Sequence, residues 1–251
     1  MRWLTDLMNI SEDKMKNKNT VLKRVYRKIR TSVDFMVPSE SIKASKEKWS
    51  ILGREKSKYY IFSDNGKSIS EKEFRESGEV DYKTLVLDDP ILRENIKAHN
   101  NVLEIGCGTG RVTEFFAGDF KHVYAADISR SMIEQARERL AKFPNIELIE
   151  TNGFEYPIVS NAVDLVFSYI VFQHMPNKEI IEKNLCEIGR ILRVGGIAKI
   201  QFRGVRVTKD NWFYGADVRP KEIKKMAARA NLHIIDELDN NQKYYWVWFQ
   251  K

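Results

Sequence analysis

The amino-acid sequence predicts an α/β protein built on a seven-stranded, mostly parallel β-sheet, with helices on both faces and an antiparallel last strand. Strand-like and helix-like segments alternate at short spacing from residue 101 onwards, which is typical of parallel strands joined by crossover helices. Residues 163–169 are almost wholly apolar, as expected of a strand that is covered on both faces. The last two strands are separated by Asp239-Asn240-Asn241 and by no helix, so we expect them to pair antiparallel.

The predicted strands are short apolar runs that end at glycine or at polar residues. In chain order they lie at residues 102–105, 123–126, 147–149, 163–169, 197–202, 234–235 and 244–249. The helices between them carry apolar residues three and four apart, such as Met132 and Ala136 in the helix that Ser129 is expected to cap. One helix runs through residue 116, and the later helices are predicted at residues 131–143, 180–192 and 220–230. We expect Gly195-Gly196 to follow the end of the helix at 180–192 and to precede the next strand.

We divide the chain into an N-terminal extension at residues 1–98 and the sheet domain at residues 99–251. The extension is expected to be mainly helical, and its sequence carries turn signals at Asp64-Asn65-Gly66 and at Ser77-Gly78. Its aromatic residues, among them Trp49, need burial somewhere in the fold.

Composition excludes several classes of protein. The chain has 251 residues, of which 43% are hydrophobic, a balance that argues against disorder and against fibrous folds. The longest apolar stretch, at residues 165–172, is far shorter than the roughly 20 residues of a membrane span. The N-terminus does not resemble a signal peptide. Two cysteines build neither a disulfide framework nor a zinc site by themselves, so we expect a cytoplasmic protein without a metal site.

The positive charge is concentrated at the N-terminus. Residues 1–58 contain 15 Lys and Arg against 7 Asp and Glu, a balance of +8, whereas the whole chain carries +7. Apolar residues recur at helical spacing within residues 14–36, which predicts a basic amphipathic helix. Such a helix suits an anionic surface, which is membrane headgroups, nucleic acid or an acidic partner, and a membrane would hold the protein at the inner face. The alternative is a solvated helix that packs its apolar stripe on the rest of the protein.

A glycine-rich segment, Glu104-Ile105-Gly106-Cys107-Gly108-Thr109-Gly110-Arg111, follows the first predicted strand of the sheet. Glycine allows positive φ angles and lets a ligand approach the bare backbone closely. The segment fits the dinucleotide fingerprint G-x-G-x-x-G poorly, because its third glycine comes one position early. Glu104 also suits a positively charged amine or sulfonium better than a pyrophosphate.

This segment resembles motif I of the class I S-adenosylmethionine-dependent methyltransferases, which have a Rossmann-like fold, and the resemblance extends over residues 101–251. It implies S-adenosylmethionine as the cofactor, with Gly106, Gly108 and Gly110 around its methionine portion and Glu104 near its amino group. It also implies that Asp127, at the end of the second strand, accepts hydrogen bonds from both ribose hydroxyls.

The resemblance implies further cofactor contacts after the second, third and fourth strands. Ile128 stands where the family packs an apolar side chain on adenine. Asn152 replaces the Asp that usually accepts from the adenine amine, and Phe154 either covers adenine or belongs to the core. Arg111 either contacts the cofactor carboxylate or faces solvent. The full set of expected cofactor-binding residues is Glu104, Gly106, Cys107, Gly108, Gly110, Arg111, Asp127, Ile128, Asn152, Gly153, Phe154 and Ser168.

His174, which follows the fourth strand, is the candidate catalytic residue. An imidazole titrates near neutral pH and therefore suits proton removal from an acceptor as a general base. The alternative is a structural histidine that packs under the following turn. The methyl acceptor is expected to enter over the carboxyl edge of the sheet, between residues 40–98 and the loop 204–217, whose aromatic residues include Trp212 and Tyr214.

These features predict an S-adenosylmethionine-dependent methyltransferase that methylates an oxygen of a small molecule or glycan. An RNA or other nucleic-acid methyltransferase is the first alternative. It is less favoured because the sequence contains no recognisable RNA-binding module and no Asn/Asp-Pro-Pro-Tyr signature after the fourth strand. A non-catalytic module that binds the cofactor or a protein partner is the second alternative.

Overall fold

The computed structural model describes residues 38–61, 70–205 and 215–251, with side chains between 42 and 61 described for residues 42–54. The chain divides into two compact units, Met1–Ser41 and Ile42–Lys251, and all the packing described below belongs to the second unit. The predicted basic helix at residues 14–36 and the aromatic residues at 212–214 lie outside the described residues. The domain division that we place at residue 98 remains a prediction.

Three helices precede the sheet in the described part of the chain. They are α1 (Pro38–Ile61), α2 (Glu71–Tyr82) and α3 (Pro90–Asn95), with a π-helical turn at Lys83–Leu87 between the last two. Ser70 begins α2 in a capping box with Glu73.

The turn predicted at Ser77-Gly78 is wrong, because both residues lie inside α2. A Cβ atom at Gly78 would lie 2.2 Å from the backbone oxygen of Arg111. Glycine is needed here for the close approach of a helix to a loop, a requirement that the local sequence does not distinguish from a turn.

The sheet has seven strands in the order β3-β2-β1-β4-β5-β7-β6. They are β1 (Asn101–Ile105), β2 (His122–Asp127), β3 (Ile146–Glu150), β4 (Val163–Ser168), β5 (Leu192–Phe202), β6 (His233–Leu238) and β7 (Tyr245–Gln250). Strands β1 to β5 pair in parallel, and β7 runs antiparallel to both of its neighbours, β5 and β6. The predicted fold class is therefore confirmed.

Helices cover both faces of the sheet. They are α4 (Thr113–Asp119), α5 (Arg130–Arg139), α6 (Lys178–Ile191) and α7 (Pro220–Arg229), and Ser129 caps α5 as predicted. One large apolar cluster joins the sheet to α6 and α7 through residues such as Leu185 and Ile223. A second cluster packs α2, α3 and α4 on the opposite face, with Phe116 fully buried at its centre. None of the helices in the described ranges combines the length and apolarity that a bilayer crossing requires.

Strand β5 begins earlier than the sequence predicts. It starts at Leu192, directly after α6, and Gly195 with φ +77° lies inside it. Val163 and Leu165 of β4 pair with Leu192 and Ile197, so β5 bulges between these two pairs. The glycines therefore serve a bulge within the strand and not a turn in front of it.

The strand order reverses between β1 and β4, since successive strands run outwards from β1 in one direction and from β4 in the other. In open α/β sheets a crevice forms at this switch point, outside the carboxyl ends of the strands. The glycine-rich turn after β1, Asp127 at the end of β2 and the turn after β4 all lie at this edge.

Candidate functional site

A cleft opens at the carboxyl ends of β1, β2 and β4. It encloses about 1160 Å³, counting its open mouth. Nine of the residues predicted for the cofactor site or for catalysis line it: Glu104, Gly106, Cys107, Gly108, Arg111, Asp127, Ile128, Gly153 and His174. Gly110, Asn152, Phe154 and Ser168 are not in its lining.

The glycine-rich turn lies against the end of β2. The backbone N–H groups of Gly106 and Cys107 both donate to the carbonyl oxygen of Ala126, at 2.7 and 3.0 Å. Gly106, Gly108 and Gly110 have φ angles of +77°, +55° and +85°, the left-handed region in which glycine is not strained. The turn therefore presents the bare backbone of Gly106 and Gly108 to the cleft.

We expect Gly106→Ala to disrupt this turn. A Cβ atom at residue 106 would lie 2.1 Å from Cγ2 of Val171, and φ +77° is itself unfavourable for alanine. Strain at such a backbone position costs about 1–3 kcal/mol, to which the clash adds. Urea denaturation of the purified variant measures the loss. Gly118→Ala is the control, because no atom lies within 4 Å of a Cβ built there; equal losses in the two variants would contradict the argument.

Asp127 is a half-buried carboxylate at the end of β2. Its Oδ2 accepts from the backbone N–H of Gly108 at 2.9 Å, and its Oδ1 accepts from that of Ser129 at 2.8 Å. Burial raises the pKa of Asp127 to about 6, although these N–H groups oppose the change. A carboxylate has about four acceptor sites, so Asp127 retains capacity for a donor in the cleft.

Glu104 is the second carboxylate in the cleft, and it is buried. Its Oε2 accepts from the hydroxyl of Thr113 at 2.6 Å. Burial raises the pKa of Glu104 to about 7, and the nearby charge of Arg111 opposes the rise while that of Asp127 adds to it. Two carboxylates that share one cleft form a site that favours a cationic ligand.

The Arg111 guanidinium is engaged by α2. Its Nη1 lies 2.6 Å from Oδ2 of Asp81 and donates to the Ser77 hydroxyl at 3.4 Å. Arg111 lines the cleft, but this ion pair is buried on the arginine side and ties the glycine-rich turn to α2. The sequence analysis expected Arg111 either to contact the cofactor carboxylate or to face solvent. It did not predict the ion pair with Asp81.

The loop after β3 holds its own polar groups. The Asn152 Oδ1 accepts from the backbone N–H groups of Phe154 and Glu155, at 3.2 and 3.0 Å. The Phe154 ring packs on the core beneath Lys183. Ser168 is fully buried and donates to the carbonyl oxygen of Ile105. Asn152 and Ser168 therefore form local hydrogen bonds, and Phe154 packs against neighbouring side chains. From this loop, Thr151 and Gly153 line the cleft.

Helix α1 supplies a wall of the cleft, within the residues 40–98 that the sequence analysis placed beside the acceptor without naming the side chains that face it. Ile42, Ser45 and Trp49 line it. Their spacing of three and four residues places them on one helical face, and this spacing was the available signal. The helix is held in place by Ser131 and Gln135, which donate to the backbone oxygens of residues 50 and 53.

His174 lies in the cleft beyond β4. Its ring meets the Trp49 ring edge-on, with 5.3 Å between the centroids. Around them the lining is mostly apolar and aromatic, with Tyr169, Val171 and Met175 among its members. The sequence prediction that places His174 beside the acceptor is compatible with this position.

Residues 102–196 match the model of a methyltransferase domain family. The chain carries a class I S-adenosylmethionine-dependent methyltransferase domain. A probable cobalt-precorrin-6B C(15)-methyltransferase (decarboxylating) of Archaeoglobus fulgidus is 47% identical over 64 residues, which cover 26% of this chain and 37% of that protein. A ubiquinone/menaquinone biosynthesis C-methyltransferase of Hydrogenovibrio crunogenus is 32% identical over 142 residues, 53% of this chain and 55% of that protein. The chain thus spans about half the length, or less, of these relatives.

The fold of the methyltransferase domain is also found in solved structures. Phosphoethanolamine N-methyltransferase 1 of Haemonchus contortus, in complex with phosphoethanolamine and S-adenosylhomocysteine, superposes with a TM-score of 0.60 at 16% identity. The alignment covers 86% of this chain and 50% of that one. At this identity the likeness concerns the fold alone.

S-adenosylmethionine fits the donor set of the methyltransferase domain. The cofactor carries an ammonium, a sulfonium and two ribose hydroxyls, and the cleft offers the buried carboxylate of Glu104 and the half-buried carboxylate of Asp127. Its backbone-lined turn and the apolar side chain of Ile128 suit the remainder of the molecule. In the described part of the chain, no group of three or more His, Cys, Asp or Glu is placed to hold a metal ion.

Proposed function

We propose that the protein transfers the methyl group of S-adenosylmethionine to a small acceptor with a hydroxylated, largely apolar ring. The observation that carries this proposal is the lining of the cleft beyond the two carboxylates. There, Trp49, Tyr169 and Met175 present apolar and aromatic surface beside His174. Aromatic walls suit a flat apolar ring, and a histidine suits a polar group attached to it.

The cofactor supplies a methyl group that its sulfonium already activates. The protein's part is to bind, to orient and to exclude water. Glu104 and Asp127 offer negative charge to one end of the cleft, and the glycine-rich turn offers backbone. Helix α1 closes one wall, and His174 offers a polar ring at the acceptor end.

Methylation at oxygen is the outcome that the sequence analysis predicts. Methylation at carbon is the second candidate, and it is favoured by the names of the two relatives, both C-methyltransferases. The two outcomes share one acceptor chemistry, because the anion of a ring hydroxyl can react at its oxygen or at a ring carbon. The structure of the product distinguishes them.

The test is transfer of labelled methyl from S-adenosylmethionine into a cell extract that has been separated into small-molecule, lipid, glycan, protein and RNA fractions. We expect label in an organic-soluble small molecule, and the chemical shift of its methyl carbon tells an O-methyl from a C-methyl group. Asp127→Ala is the control for background transfer. Label that enters RNA and is released by ribonuclease, or no label above the control in any fraction, would contradict the proposal.

Cofactor binding is expected to strengthen as the pH rises. Burial raises the pKa of Glu104 to about 7 and that of Asp127 to about 6, so both are partly protonated in slightly acidic solution. A cationic ligand and hydroxyl donors favour the ionised forms, so binding is coupled to proton release. Affinity should fall by up to about tenfold for each pH unit below these values.

Calorimetry at about pH 5.5 and about pH 8, in two buffers of different ionisation enthalpy, measures both the affinity and the released protons. Glu104→Gln removes the dependence near pH 7 and leaves that of Asp127 near pH 6. An affinity that is equal at the two pH values in the unmodified protein would refute the coupling.

A further inference from the structure

Two glutamine side chains connect the turn after β4 to His174. Gln201 on β5 is completely buried, and Gln173 is 2% exposed. Neither belongs to the expected cofactor site. Buried amides must satisfy both a donor and an acceptor group, so their orientation is a definite property of the fold.

The orientation of Gln201 is determined by backbone groups. Its Oε1 accepts from the N–H of Ile170 at 3.0 Å, and its Nε2 donates to the carbonyl oxygens of Phe202 and Lys243. A flipped amide would turn its NH₂ towards the Ile170 N–H and its oxygen towards two carbonyl oxygens. All three contacts would then be repulsive, so Gln201 has one acceptable orientation.

Gln201 in turn orients Gln173. The Nε2 of Gln201 lies 3.4 Å from Oε1 of Gln173, which shares the two N–H bonds of this amide with the carbonyl oxygens of Phe202 and Lys243, and this leaves the NH₂ group of Gln173 on the other side. That Nε2 lies 3.1 Å from Nε2 of His174. A donor that faces a ring nitrogen requires that nitrogen to be the acceptor, so the ring proton belongs on Nδ1.

We propose that Gln201 and Gln173 form an amide relay that holds His174 as the neutral Nδ1–H tautomer, which makes both glutamines positioning residues for the acceptor end of the cleft. In the other neutral tautomer, or in the imidazolium, an Nε2–H would point at the NH₂ group of Gln173. The Nε2 lone pair can take a proton from an acceptor only after that amide moves away. His174 therefore acts as an oriented hydrogen-bonding group and not as a general base.

The backbone around the relay supports a positioning role. Ile170 has φ +59°, a left-handed conformation that strains a β-branched residue. The Ile170 N–H donates to Oε1 of Gln201, so the relay begins at the strained turn that follows β4 and lines the cleft. On the other side, Gly215 N–H donates to the backbone oxygen of Gln173 at 2.8 Å.

The catalytic meaning of the relay rests on the proposed methyl transfer, but the tautomer is measured without cofactor or acceptor. The experiment is a long-range ¹H–¹⁵N correlation spectrum of protein labelled at histidine, recorded at a pH where the rings are neutral. The signals of His99, His122 and His233 are assigned by replacing each with Gln. These three residues are exposed or half-exposed, and the remaining signal belongs to His174.

We expect the proton of His174 on Nδ1 in the unmodified protein. Gln173→Glu replaces the facing donor with an acceptor and should move the proton to Nε2, whereas Gln173→Met should leave a mixture of the two tautomers. An Nε2–H ring in the unmodified protein would overturn the proposal. This measurement does not depend on whether the glutamine variants fold. An Nδ1–H ring that is unchanged in a folded Gln173→Glu protein would also overturn it. If the tautomer is as expected and no methyl transfer is found, the relay stands and the proposed function fails.

Discussion

Asp127→Ala is expected to weaken S-adenosylmethionine binding by about 3 kcal/mol, or roughly a hundredfold in the dissociation constant. Two losses contribute to this effect. The variant removes a carboxylate that is expected to accept from the ribose hydroxyls, and hydrogen bonds to charged groups contribute about 1.5–3 kcal/mol each. It also removes the acceptor that holds the N–H groups of Gly108 and Ser129.

Asp127→Asn separates the two contributions. Its amide oxygen can still accept one backbone N–H, but it lacks the charge and the second acceptor, so we expect an intermediate affinity. Glu150→Gln is the matched control, because Glu150 ends the neighbouring strand β3 and pairs with Lys46 outside the lining of the cleft. Isothermal titration calorimetry measures all three variants. An Asp127→Ala protein that binds as tightly as the Glu150→Gln protein would remove Asp127 from the site.

Asp89→Ala is expected to destabilise the fold by about 3–5 kcal/mol, the usual cost of removing one partner from a buried ion pair. Asp89 lies between the π-helical turn and α3, and its Oδ2 accepts from Nζ of Lys199 on β5 at 2.7 Å. Both side chains are 4% exposed. The same carboxylate accepts from the Trp248 indole. It also caps α3 by accepting from the backbone N–H of Leu92.

Removal of Asp89 leaves the Lys199 ammonium buried. Burial already lowers the pKa of Lys199, an effect that Asp89 opposes. The ammonium lies 4.8 and 4.9 Å from the ring centroids of Trp246 and Trp248, which give partial compensation.

A neutral pair provides the matched control. Asp89→Asn combined with Lys199→Met buries no charge, and such replacements are often close to neutral. The single amide oxygen of Asn can accept from the Leu92 N–H or from the Trp248 indole, but not from both. Urea denaturation gives the free energy of unfolding of each protein. If the single Asp89→Ala variant loses no more than the double variant, the buried charge is not the cause of its instability.

The glycine-rich turn and Asp127 could be predicted because local sequence specifies them. Gly106-Cys107-Gly108 follows β1, and an acidic residue ends β2. The two strands need only lie side by side and parallel for these ends to meet. Asn152 shows the limit of this reasoning. Its position after β3 was predicted, but its side chain accepts from its own loop, because short polar side chains readily satisfy nearby backbone N–H groups.

By itself, the sequence determined the fold class, the order of most elements and the positions of Glu104 and Asp127 beside the glycine-rich turn. Periodicity and turn chemistry act over a few residues, and parallel pairing aligns the ends of the strands. The tertiary structure alone decided that Trp49 forms a wall, that Arg111 pairs with Asp81, and that Gln173 faces Gln201. Each of these contacts joins segments that are distant in the chain, and the direction of a polar side chain depends on which donors and acceptors packing brings within reach.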